Sequence, residues 1–107
     1  MVLESAYQTR IIKLIKRVFP GAVVLKLDTS YRQGIPDLLI LYGRRWAALE
    51  VKRSEKADEQ PNQRYYQQML DDMSFCAFIY PENEEEVIRD LQYAFRSTKR
   101  TRVSQSE

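Results

Sequence analysis

A chain of 107 residues, 44% hydrophobic and carrying seven Tyr, four Phe and one Trp, has the material for one folded domain and argues against disorder. One Cys and no His exclude an internal disulfide, a Ser-His-Asp triad, a Cys-His dyad and any zinc site built on His or several Cys. Catalysis here must run on carboxylates, Lys, Tyr or a hard metal held by oxygen, and 17 Lys plus Arg against 15 Asp plus Glu leave a net charge of only +2.

Residues 3–18 predict a helix, with Leu3, Tyr7, Ile11, Leu14, Ile15 and Val18 on one face and Lys13, Lys16 and Arg17 off it. Pro20-Gly21 stops it. Residues 22–27 are apolar and β-branched, a strand, and residues 28–36 form a polar loop. The nearly continuous apolar run 37–42 predicts a strand covered on both faces. Gly43-Arg44 then turns the chain into a second strand, 45–51, completing a hairpin. A charged loop follows, and Gln60-Pro61 opens a helix with Pro61 near its first position and Tyr66, Met69, Leu70 and Met73 as its stripe. Residues 75–80 read as a buried strand containing Cys76. Asn83, with Glu86 three residues on, predicts a capped helix whose stripe is Val87, Ile88, Leu91, Ala94 and Phe95.

The order α-β-β-β-α-β-α, with helices on both sides of the strands, predicts a three-layer α/β domain around a mixed sheet. Residues 1–96 make one domain, and the basic tail 97–107 is expected to be disordered in isolation. No apolar run approaches the roughly 18 residues of a membrane span, and the N-terminus is not signal-like. The expectation is a cytoplasmic protein without a membrane partner or a small-molecule cofactor.

The small net charge hides a split. Residues 1–53 carry ten basic and four acidic side chains, residues 54–96 four basic and ten acidic. Such asymmetry favours a polyanionic partner. Candidate phosphate contacts are Arg10, Lys13, Lys16 and Arg17 on the first helix, Arg32 in the polar loop and Arg53 after the hairpin.

The chemistry concentrates on the hairpin. Folding residues 37–51 back on themselves brings Asp37, at the entrance of one strand, beside Glu50, near the end of its antiparallel partner. Glu50 and Lys52 are two positions apart and leave the same face of the strand. Charges beside buried strands are costly unless paired or bound to a metal. A hard divalent cation, Mg²⁺ or Mn²⁺, answers that need with Asp37, Glu50 and the main-chain carbonyl of Val51 as oxygen donors. A structural salt bridge at the strand end is the ordinary alternative.

Pro36-Asp37 followed by Glu50-Val51-Lys52 resembles the PD-(D/E)XK nuclease superfamily. Residues 3–96 are further similar to the virus-type replication-repair nuclease (VRR-NUC) family. That resemblance rests on Glu4 in the first helix, Gly34-Ile35-Pro36-Asp37, Leu49-Glu50-Val51-Lys52, and Gln63 in the helix that follows. It implies a restriction-endonuclease-like fold, metal ligation by Asp37 and Glu50, Lys52 as the catalytic lysine, and Glu4 reaching the metal directly or through water. Gln63 would orient the catalytic water, Lys52 or a phosphate. The implied activity is a divalent-metal-dependent endonuclease on branched DNA, of use in repair and recombination, with the Holliday junction as the expected substrate. A short chain of this kind is similar to phage-type resolvases, which implies a homodimer and, for a viral source, the host cytoplasm. The alternatives are flap or other DNA cleavage by the same fold, or a non-catalytic DNA-binding or interaction module.

Overall fold

The computed structural model of the protein describes residues 3–97; of the tail 97–107, expected to be disordered, Ser97 ends the last helix and residues 98–107 lie outside the described residues. Helix α1 (Glu4–Val18) is followed by strands β1 (Val23–Lys26), β2 (Leu38–Tyr42) and β3 (Arg45–Val51), helix α2 (Gln63–Met73), strand β4 (Phe75–Ile79) and helix α3 (Glu84–Ser97). The sheet order is β1-β2-β3-β4, antiparallel through β3 and parallel between β3 and β4, where α2 supplies the crossover. The expected α/β architecture and mixed sheet are what the chain adopts. Among the described residues no helix is long and apolar enough to cross a membrane.

Strand alternation divides the two faces. Leu38 and Ile40 of β2, Ala47, Leu49 and Val51 of β3 and Ile79 of β4 join Tyr7, Ile11 and Ile15 of α1 and Val87, Leu91 and Phe95 of α3 in one core. Phe19, Tyr42 and Phe95 close one end of it, with ring centroids 5.1–5.4 Å apart. Helix α2 packs on the opposite face and contributes nothing to that core. It is fastened to β4 by polar groups: Gln67 Nε2 donates to the Cys76 carbonyl at 2.8 Å, and the Cys76 N–H donates to Asp71 Oδ1 at 3.0 Å.

Because α2 packs on β3 and β4, the covering expected on both faces of β2 is incomplete. Leu39 is half-buried and Leu41 is 37% exposed, level with Val23 and Leu25 of the edge strand β1. The predicted stripe of α2 is likewise shallow: Tyr66, Met69 and Leu70 are half-buried, Met73 is exposed, and the helix's one buried residue is the polar Gln63.

Two helix starts differ from expectation. Helix α2 begins at Gln63 because Asn62 sits in the left-handed region at φ 70°, leaving Pro61 outside the helix. Asn83 does not cap α3. It ends a short 3₁₀ turn (Pro81–Asn83) that runs straight into α3, and its side chain accepts from the Tyr80 N–H at 2.9 Å and donates to the Phe78 carbonyl at 3.0 Å. The amide thus ties the helix entrance to the end of β4.

The two sides of the hairpin should respond differently to truncation. Leu49→Ala, at a fully buried site, should cost about 3 kcal/mol in urea unfolding, while Leu41→Ala should cost under about 1 kcal/mol.

Candidate functional site

The β2–β3 register pairs Leu38 with Leu49, so the next step outward sets Asp37 across from Glu50. The loop carrying Asp37 is anchored at its strand end by the Leu27 N–H, which donates to the Asp37 carbonyl at 2.8 Å. The Asp37 side chain is fixed in turn: Oδ2 accepts from the Val51 N–H at 2.9 Å. Lys52 continues the strand, its N–H donating to the Ile79 carbonyl at 2.9 Å. Alternation that sends Leu49 and Val51 into the core sends Glu50 and Lys52 to the other face, at the mouth of a cavity of about 440 Å³.

Glu50 is only 3% exposed. Its Oε2 accepts from Gln63 Nε2 at 2.7 Å, while Oε1 is buried with no N–H donor on it, beside the Asp37 carboxyl. Burial, reinforced by the neighbouring Asp37 charge and by a hydrogen bond the protonated carboxyl shares with Asp37, and opposed by Lys52, pushes the Glu50 carboxyl up to about 9. Gln63 has a single orientation open to it. Its Oε1 accepts from the Gln60 N–H at 2.8 Å, so its NH₂ must face Glu50. Gln63 therefore holds Glu50, a more specific task than the range of roles expected for it.

Lys52 is 5% exposed, and its Nζ donates to the Asp58 carbonyl at 2.9 Å. It lies within ion-pair distance of no carboxylate among the described residues, whose recorded pairs are Arg10–Glu84 and Arg64–Glu59. The ordinary alternative, a strand-end salt bridge, is not what the chain forms.

Glu4, Asp37, Glu50, Lys52, Gln63 and Arg53 all line the cavity. Val51, expected to offer its carbonyl, is not among the lining residues, and its N–H supports Asp37. Of the other basic candidates, Arg10 is bound to Glu84 at 2.8 Å and lies over the Tyr7 ring, and Arg32 donates to the Tyr66 hydroxyl at 3.3 Å. Lys13, Lys16 and Arg17 are exposed on α1, with Lys16 about 18 Å along the helix axis from Glu4. Gly34, the first residue of the Gly34-Ile35-Pro36-Asp37 motif, also lines the cavity, as do Asp58 and Gln60, which no motif marks. Asp58 and Gln60 act through their backbones, which carry no side-chain signature.

The fit to a hard cation rests on the orphaned Glu50 Oε1. A buried carboxylate oxygen with no N–H donor, beside a second carboxylate and in a residue that lines a cavity, suits a small divalent ion. Among the described residues no three His, Cys, Asp or Glu side chains are grouped closely enough to hold an ion on their own. Asp37 and Glu50 would thus be the protein's side-chain donors, with Glu4 reaching the ion through water.

No family model and no curated protein matches the sequence. Two solved structures are similar to it. One, described as a VRR-NUC domain, shares 26% identity at a TM-score of 0.58, over 79% of this chain and 94% of that chain. The other, described as a VRR-NUC domain protein, shares 19% identity at a TM-score of 0.63, over 88% of each chain.

The raised Glu50 value has a sign that can be checked. Without a cation the folded state keeps this proton up to about pH 9, whereas the unfolded chain releases it near the ordinary carboxyl value. Its contribution is thus fully present below about pH 4 and lost as pH rises toward 9. In chelator, urea unfolding should show stability falling over that interval by about a few kcal/mol. Glu50→Gln should flatten that decline; a variant with the same slope would contradict the assignment.

Proposed function

From the VRR-NUC fold of this chain, a nuclease-type fold, we propose a divalent-cation-dependent endonuclease that hydrolyses phosphodiester bonds in branched DNA, four-way junctions foremost. The observation that carries this reading is the pair of Glu50 and Asp37, Glu50 with a buried Oε1 that takes no N–H donor, lining one cavity with an ammonium that makes no ion pair among the described residues.

Asp37 and Glu50 would hold Mg²⁺ or Mn²⁺, which when bound supplies Lewis acidity toward the scissile phosphodiester. The chain's own groups do the rest. Gln63 keeps Glu50 aimed by donating to Oε2, so that Oε1 stays available. The Val51 N–H fixes Asp37 through Oδ2. Lys52, steadied by the Asp58 carbonyl, presents a compact positive charge where negative charge grows on the phosphate. Arg53, on the cavity wall, supports the neighbouring phosphate of the same strand.

A single domain with one such cavity cuts one strand at a time. Paired incisions across a four-way junction call for two copies, so the reading includes a homodimer, acting on DNA in the cytoplasm. Arg10, neutralised by Glu84, has the smallest part in holding DNA.

Incubation with Mn²⁺ and labelled four-way junctions, flaps, splayed arms and plain duplex tests the proposal. The expected result is symmetric paired nicking of junctions, with Asp37→Ala reducing cleavage by about a thousandfold or more while leaving junction binding largely intact. No cleavage of any substrate would favour a non-catalytic binding module, and wild-type rates in Asp37→Ala would remove the site assignment.

A further inference from the structure

We infer that Gly34 is a positioning residue of this site: the missing side chain at residue 34 lets the backbone of Asn62 seat against the 28–36 loop, and that seating holds the Gln63 amide on Glu50.

The contact is unusually close. A Cβ at Gly34 would lie 2.6 Å from Asn62 Cβ, 2.7 Å from the Asn62 carbonyl carbon and 2.9 Å from its oxygen. Two of those three atoms are backbone, so a side chain at 34 could be admitted only by moving the chain at 62. That oxygen also accepts from the Tyr66 N–H at 3.0 Å, within the first turn of α2. Moving it moves the helix start, and Gln63 is the next residue. Asn62 is the one non-glycine residue with positive φ among the described residues. A conformation of this kind persists when surroundings impose it.

Loop and helix are tied a second time by the Arg32 hydrogen bond to Tyr66. The loop ends at Asp37 and the helix begins with the residue that aims Glu50. One backbone contact therefore sets the relation between the supports of the two carboxylates. The contact and the Gln63–Glu50 hydrogen bond stand independently of the nuclease reading; the cleavage measurement below rests on it.

Gly21 provides the control. Its φ of +92° nearly matches the +97° of Gly34, yet a Cβ there meets nothing within 4 Å. Gly21→Ala carries the backbone strain without the collision.

The experiment compares Gly21→Ala, Gly34→Ala and Gly34→Ala/Asn62→Gly, the last removing the Asn62 Cβ while its carbonyl carbon and oxygen stay in the way. In each full-length protein the Gln63 side-chain amide is followed by ¹H–¹⁵N NMR without added metal, and junction cleavage is measured with Mn²⁺. Gly34→Ala should lose the hydrogen-bonded Gln63 signal and cut about tenfold or more slower. Gly21→Ala should keep both signal and rate, and the double variant, still obstructed by the Asn62 backbone, should recover neither; a wild-type Gln63 signal in the double variant would overturn the backbone contact. Should Gly34→Ala fail to fold, the wild-type protein decides: nuclear Overhauser contacts between the Gly34 Hα protons and Asn62, together with a hydrogen-bonded Gln63 side-chain amide, support the contact, and their absence overturns it. A Gly34→Ala protein with the wild-type Gln63 signal also overturns it. If the wild-type protein cuts nothing, the nuclease reading falls while the amide signals still decide the role of Gly34.

Discussion

Glu50 carries a carboxyl into a place where the protein satisfies only half of it. One oxygen takes the Gln63 amide, and the other is buried without an N–H donor. Removing a carboxylate from water costs several kcal/mol unless something replaces the lost hydration. In the cation-free protein burial and the Asp37 carboxyl push the Glu50 carboxyl up to about 9, so the charge is avoided by keeping a proton shared with Asp37. Every nearby support keeps this arrangement from relaxing. Gln60 orients Gln63, the Val51 N–H holds Asp37, and the Asp58 carbonyl accepts from the Lys52 ammonium.

The same strand that creates the problem secures the fold. In β3, Leu49 and Val51 are fully buried against α1 and α3, while Glu50 and Lys52 take the alternate positions. A slip of one residue in register would put two charged groups in the core and two aliphatic ones in the cavity. The packing that stabilises the domain thus also fixes where the carboxylates stand. Helix α2 has the opposite character. It brings no residue to the main core and its buried residue is Gln63, so its docking serves the site as much as the stability of the sheet.

Much of this was legible in the residues, for identifiable reasons. The strand 45–51 and its turn agree residue for residue with the structure, because an apolar run interrupted by Gly43, at φ +61°, leaves little choice of where to reverse. The pairing of Asp37 with Glu50 followed from that hairpin alone. The start of α2 did not follow, because the left-handed Asn62 accompanies a tertiary contact with Gly34 that local propensity does not encode. The supports given by Gln60 and Asp58 come from their backbones, and backbone donors and acceptors look alike in every sequence. The basic candidates were legible as charge and illegible as position. Arg10 is spent on Glu84, and Lys16 and Arg17 lie toward the end of α1 remote from the cavity-lining Glu4.

The central claim is that the half-satisfied Glu50, with Asp37, is a seat for a divalent cation. Anomalous diffraction from crystals of the protein grown with Mn²⁺ tests it most directly. The account predicts a single strong peak in the cavity, about 2.2 Å from Glu50 Oε1 and from an Asp37 carboxylate oxygen. It also predicts that the peak is lost in Glu50→Gln. An empty cavity at saturating Mn²⁺, or ions seated only on the exposed acidic surface, would contradict it.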